Sequence, residues 1–219
     1  MYPYAQEACN AKKWAFVSDV ARLHALVTEG GVYMDTDVEV VGSLDTFLSE
    51  SAFSGFESDM GVPTGLMASE AEHPFFKQLL HEYKNVHFLR GDGSLDLTTN
   101  VTRIINACVE AGLKLNNQKQ TVAGFTLFPK EYFCPLSHST GRLERTENTV
   151  AIHWFAGSWK SEEEKANHQK AKEIYNRYGV IGPILSYVYE KIFKVGYILK
   201  TGSKEELIVR IKNYLRKKR

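Results

Sequence analysis

The sequence predicts an α/β fold. Three observations carry the assignment. Helical and strand patterns alternate along the chain, a β-branched run near residue 38 is bracketed by glycines, and a Ser161/Glu164 capping box opens a helix directly behind the strand-like segment TVAIHWF.

The opening residues have a helical pattern. A second helix is expected to start near Ser18, whose hydroxyl would cap it, with Val20, Leu23, Leu26 and Val27 as its apolar stripe and Gly30-Gly31 as its stop. VYM, DTD and VEVV then read as two short strands joined at an acidic turn. Pro74 begins a helix that buries Phe75, Phe76, Leu79, Leu80 and Tyr83, and His73 is expected to cap it. TTNVTRIINACVEAG makes another, carrying Val101, Ile104, Ile105 and Cys108, with Gly112 as its C-terminal cap. FTLFP and TVAIHWF read as buried strands.

The 219 residues are 43% hydrophobic and 24% charged with a formal net charge of +1, which suits a folded globular chain and excludes disorder, collagen-like repeats and a coiled coil. So balanced a charge also excludes a general nucleic-acid binder. The balance is uneven along the chain: residues 1–159 hold 12 basic and 19 acidic side chains, and residues 160–219 hold 15 and 7. A boundary is therefore expected near residue 159, between an α/β domain and a basic helical extension. The extension ends in a helix with Leu207, Ile208, Ile211 and Leu215 opposite Arg210, Lys212 and Arg216.

Cys9, Cys108 and Cys134 form neither a disulfide framework nor a thiol zinc spacing, which points to a reducing cytoplasm. The first residues lack the charged start and apolar run of a signal peptide. The most lipid-like stretch, Gly179 to Tyr189, is interrupted by Gly182 and Pro183 and falls short of the ~20 apolar residues that span a bilayer.

The candidate chemistry lies at the acidic turn. Asp35 and Asp37 flank Thr36 at a strand end, where open α/β sheets place ligand groups. Two adjacent carboxylates repel, and hard oxygen donors on a short turn suit Mg²⁺ or Mn²⁺, which bridges to phosphate oxygens; a solvated acidic turn is the plain alternative. Asp19 and Arg22 share one helix face ahead of this turn, so the carboxylate can orient the guanidinium, either to hold a sugar hydroxyl or as a structural ion pair. Of Tyr33 and Met34, which alternate on the strand, one packs inward and the other faces a ligand.

The string SDVARLHALVTEGGVYMDTDVEVVGSLD resembles the DXD region of retaining glycosyltransferases of family 32. That family includes bacterial capsular polysaccharide enzymes and the yeast initiating mannosyltransferase, with the clostridial glucosylating toxins more distantly similar. S-D-x-x-R on a helix, G-G-x-Y, D-x-D and a leucine-aspartate step occur in that order. The likeness continues through MASEAEHPFF, GSLDLTTN, FPKEYFCP and ENTVAIHWFAGSW, covering most of residues 2–159.

The resemblance implies a GT-A-like, Rossmann-type fold and transfer of a hexose from a nucleotide sugar to a saccharide acceptor in capsular or cell-surface polysaccharide synthesis. It implies catalytic roles for Asp19 and Arg22, and donor contacts from Asp19, Arg22, Tyr33, Asp35, Asp37, Ser158 and Trp159. Asp35, Asp37 and His153 become the metal ligands. Imidazole suits Mn²⁺ better than Mg²⁺. In a toxin-like site the HWFAGSW region bends back over the diphosphate, against the plain reading of His153 and Trp159 as core residues. His73, Thr64, Thr98, Thr99 and Asn100 are acceptor-side or sugar-side positions at most.

The chain departs from the family at its front. The I-P-K-x-I-H-like run that normally precedes the DXD region is absent, so the expectation is a domain truncated at its N-terminus, with an exposed parallel strand and an incomplete base pocket. Two other functions stay open. One is a non-catalytic remnant acting as a binding module. The other is a phosphatase of the haloacid dehalogenase type, because VYMDTDVEV also fits a strand followed by D-x-D, with the first Asp as nucleophile. The basic extension also suits peripheral contact with an anionic membrane, on its inner face, and a lipid-linked glycan acceptor.

Overall fold

The computed structural model describes residues 2–62, 65–157 and 160–201, without the side chains of residues 198, 199 and 201. Two helices open the chain, α1 (Pro3–Asn10) and α2 (Trp14–Thr28), followed by strands β1 (Gly31–Met34), β2 (Val38–Val40), β3 (Ala52–Gly55) and β4 (Leu66–Ser69). Then come α3 (Pro74–Glu82), α4 (Asn100–Glu110), β5 (Gln120–Val122), β6 (Phe125–Phe128), the single turn α5 (Lys130–Phe133) and β7 (Ala151–His153). The last elements are α6 (Glu162–Arg177) and α7 (Gly182–Thr201).

The strands form a five-stranded sheet in the order β1-β4-β3-β6-β5 and a separate pair, β2 with β7. Among the described residues, β3 and β6 run parallel and the other pairs are antiparallel. This mixed α/β arrangement is consistent with the GT-A-like fold that the resemblance implies. The edge strand β1 is antiparallel to its neighbour, not parallel as expected. β1 and β2, consecutive in the chain, enter different sheets, so the acidic turn is the point where the backbone passes from one to the other.

Alternation along the central strands builds a core on both sheet faces. Ala52, Met67, Phe125 and Leu127 pack with Tyr4, Leu23, Leu26, Phe76 and Tyr83, while Phe53, Leu66, Ala68 and Phe128 pack with Phe47 and Phe133. Each such aromatic or aliphatic side chain contributes about 1.5–3 kcal/mol on burial. This aromatic packing is what fixes α2 and the strand ends that carry the site. At the end of α2, Gly30 takes φ +69°, and a Cβ there would stand 2.6 Å from the Ala71 amide nitrogen, so the sharp exit into β1 requires glycine.

Several local expectations need correction. α2 begins at Trp14, and Ser18 is inside it, its hydroxyl donating back to the Ala15 carbonyl at 2.8 Å instead of capping. His73 stands at the N-cap of α3 but makes no capping bond; its ring turns to Phe76, with Nε2 3.5 Å from the Ser51 hydroxyl. Thr99 caps α4 by accepting from the Thr102 amide, and Gly112 follows the helix at φ +98°. The Ser161/Glu164 capping box is present in full. Gly182 and Pro183 do not end the apolar stretch: a short 3-10 turn at Gly179–Ile181 leads into α7, which they begin. The expected helix with Leu207 and Arg210 lies outside the described residues.

The chain divides into two compact units. The first comprises Met1–Arg90, Leu95–His138 and Arg142–Ala156; the second comprises Gly91–Ser94, Ser139–Gly141 and Gly157–Arg219. Among the described residues, no helix is long and apolar enough to cross a membrane.

Candidate functional site

The acidic turn is pinned from both sides by backbone. The β1–β4 ladder ends at Met34 opposite Leu66, and one further bond, Asp35 N–H to the Gly65 carbonyl at 2.7 Å, fixes the first carboxylate residue. In the small sheet, Val38 stands opposite His153, so the register of β2 and β7 brings the imidazole beside Asp37. The Trp154 amide donates to the Asp37 carbonyl at 2.9 Å, and the Ala156 amide to Asp37 Oδ2 at 2.8 Å.

His153 Nε2 is 3.4 Å from Asp37 Oδ1. One ligand atom each from Asp35, Asp37 and His153 lie within 4.8 Å of one another. The structure therefore brings together the three residues proposed as metal ligands, over more than a hundred residues of sequence. Gly65 makes room for the third: a Cβ there would stand 2.9 Å from His153 Nδ1. Phe155 adds a ring 4.2 Å from the imidazole centre, held in a left-handed backbone conformation at φ +53°. Such strain in a non-glycine residue costs roughly 1–3 kcal/mol and gathers where position matters.

The helix face anticipated for Asp19 and Arg22 does meet this turn. Arg22 Nη2 is 3.1 Å from Asp35 Oδ1 and 3.8 Å from Asp19 Oδ1. The Tyr33 hydroxyl donates to Asp35 Oδ1 at 2.7 Å, and the Arg22 guanidinium lies 4.8 Å above the Tyr33 ring. Tyr33 is thus the inward-facing member of its pair and Met34 the exposed one. Burial pushes the Tyr33 hydroxyl pKa up, so it remains a donor.

Asp19 is buried, and at the start of α4 it accepts the Asn100 amide at 2.9 Å while its own carbonyl accepts Asn100 Nδ2 at 2.8 Å. Burial raises its carboxyl pKa, with Arg22 and the Asn100 amide opposing. Asn100, read as a sugar-side position at most, here anchors Asp19. Thr98 donates to Asp96 Oδ1 at 2.7 Å, and Thr99 is the α4 cap. Ser158, Trp159 and Thr64 lie outside the described residues.

One acidic residue of this site is absent from the sequence reading. Glu57, just beyond β3, has its carboxyl pKa raised by burial and by Asp35, with His153 opposing. It sits in a stretch, GFESDMG, that carries no periodic signal, and it follows β3, whose pairing with β4 and β6 delivers it here. Arg22 thus meets Asp19 and Asp35, Asp37 faces His153, and Glu57 feels the charges of Asp35 and His153. Such an excess of oxygen donors, with an imidazole facing them, fits a divalent cation.

Residues 1–54 match the family described as glycosyltransferase sugar-binding region containing DXD motif. The match supports a glycosyltransferase-type family. It takes in Asp19, Arg22, Tyr33, Asp35 and Asp37, and leaves Glu57 and His153 outside. Over 123 residues the chain is 28% identical to Uncharacterized protein At4g19900 of Arabidopsis thaliana, covering 55% of this chain and 18% of that protein. The chain thus spans less than a fifth of that relative's length. No solved structure gives a significant match.

Proposed function

We propose that this chain is a metal-dependent retaining glycosyltransferase of family 32 type, moving a hexose from a nucleotide sugar to a saccharide or lipid-linked glycan acceptor in capsular or cell-surface polysaccharide synthesis. The observation that carries the reading is the convergence of Asp35, Asp37 and His153 within 4.8 Å. The DXD-region match supports it from the sequence side.

Asp35, Asp37 and His153 would hold Mn²⁺ or Mg²⁺. When bound, that cation supplies positive charge against the departing diphosphate. The chain's own residues prepare the place. Arg22 and Tyr33 fix Asp35 through Oδ1, and the Ala156 amide fixes Asp37 through Oδ2. Phe155 covers one face of the imidazole and excludes water from it. Asp19, anchored at α4, orients Arg22 toward the sugar; donor contacts from Ser158 and Trp159, which lie outside the described residues, are proposed from the resemblance alone.

No carboxylate here is assigned as a covalent nucleophile, so the reading is same-face displacement with retention at the anomeric carbon. A phosphatase with Asp35 as nucleophile would leave the contact of Asp19 and Arg22 with this turn without a role. The free thiols of Cys9, Cys108 and Cys134 support placement in the reducing cytoplasm. Incubating the protein with a panel of nucleotide hexoses and Mn²⁺ tests the function. Release of nucleoside diphosphate, with NMR showing a product of the donor's anomeric configuration, is expected; no turnover of any donor favours the non-catalytic binding module.

A further inference from the structure

The second unit contains a helix whose apolar side faces outward. α7 packs toward α6 through buried Ser186, which donates to the Ala171 carbonyl at 2.9 Å, and through the half-buried Tyr189, Phe193 and Tyr197. On the opposite side, Ile184, Leu185, Val188, Ile192 and Val195 recur every three or four residues and are 65, 38, 46, 67 and 51% exposed. At 100° per residue they fall within an arc of ~100°, and no charged residue of α7 falls inside it. Val180 at 95% and Ile181 at 55% exposure continue the apolar surface at its N-terminal end. A helix built to face water shows the reverse distribution.

We propose that α7 lies flat on an anionic lipid bilayer, with this stripe inserted among the acyl chains and the neighbouring lysines at the headgroups. Lys191 and Lys194 run along one border of the stripe, and Lys191 Nζ lies 5.0 Å above the ring of Tyr187, an amphipathic side chain 60% exposed at the same border. The only acidic residue of α7, Glu190, turns away from the stripe to His168, 3.4 Å distant. Among the described residues 160–201 the chain carries 8 basic and 5 acidic side chains, a net positive charge of the sign that anionic lipid attracts.

A single stripe on an otherwise polar helix fits lying in the interface, not crossing it. Antiparallel pairing of this face with a second copy is disfavoured, because that two-fold contact sets the lysine border of one helix against its equal.

Flotation of the full chain with vesicles of phosphatidylcholine and phosphatidylglycerol, against phosphatidylcholine alone, tests the proposal. Binding is expected to the anionic vesicles and to weaken with salt. Ile184→Asp with Ile192→Asp should reduce partitioning by about tenfold or more. Lys191→Glu with Lys194→Glu, which leaves the stripe intact, should reduce it by about fivefold per lysine. If the aspartate pair disturbs the helix by circular dichroism, the glutamate pair carries the test. Unchanged partitioning of the folded variants overturns the proposal. So does a lipid-free dimer, seen by sedimentation velocity, that the aspartate pair dissociates.

Discussion

Gly65 and His153 are fitted to each other: the glycine has no side chain where the imidazole lies, and any Cβ there would come within 2.9 Å of Nδ1. The same glycine's carbonyl holds the Asp35 amide at 2.7 Å. One residue thereby sets the position of two of the three proposed ligands. Gly65→Ala should push the imidazole away while the β1–β4 ladder persists. Mn²⁺ affinity is expected to fall by about tenfold or more, as for lost support of a ligand, with melting temperature little changed. Calorimetric titration of Mn²⁺ checks it; parental affinity in the alanine variant removes Gly65 from the account.

Arg22 serves two carboxylates, Asp19 and Asp35. Arg22→Ala should lower turnover by roughly 10² and also melt earlier, because both acids lose their shared cation. Arg22→Lys separates the two effects. It keeps the charge without the planar fork, so stability should largely return while turnover stays about tenfold down. A lysine variant with full turnover makes the contact a structural ion pair.

Glu57 has a folded pKa above its unfolded value, chiefly from burial. The folded state then holds the proton more tightly, so the group favours folding at low pH. That contribution is lost as pH rises from the ordinary glutamate value through the raised one. In EDTA at pH 8, Glu57→Gln should melt higher by about 2–4 °C, the shift that ~1 kcal/mol gives for a chain of this size. The gain should vanish below the ordinary glutamate range. Melting of both proteins across pH checks it, and a constant difference at all pH values contradicts it.

Asp96 has the opposite sign. Although burial acts to raise its pKa, hydrogen bonds from Thr98 and the charges of Arg103 and Arg90 hold the carboxyl below the usual aspartate range. The stability it contributes is complete above the ordinary value and lost as pH falls through the folded one. Asp96→Asn should cost about 2 kcal/mol at pH 7, with a smaller difference in strong acid. Urea unfolding at both pH values measures this, and equal losses would exclude the linkage.

What the sequence disclosed, and what it hid, divides by how each residue acts. Asp19, Arg22, Asp35, Asp37 and His153 act through side chains whose spacing or neighbouring strings are distinctive, and the structure gathers them. Gly65 acts through a missing Cβ, Ala156 through its amide and Phe155 through a left-handed backbone, none of which has a residue-type signature. Strands β3 (AFSG) and β4 (LMAS) are no shorter than the strands that were legible, but they lack the β-branched residues that mark VYM, VEVV and TVAIHWF. Ser18 and His73 show the same limit from the other side. Ser18 is a residue type suited to capping and His73 stands at a cap position, but tertiary packing decides what each side chain bonds to.

The central claim is that Asp35, Asp37 and His153 form a divalent-cation site on which sugar transfer depends. Electron paramagnetic resonance titration of Mn²⁺ into the full chain and into Asp37→Asn measures that site directly. The account predicts about one tightly bound ion per parental chain and at least tenfold weaker binding in the variant, as loss of a charged oxygen ligand requires. Equal Mn²⁺ binding by the two proteins would contradict it.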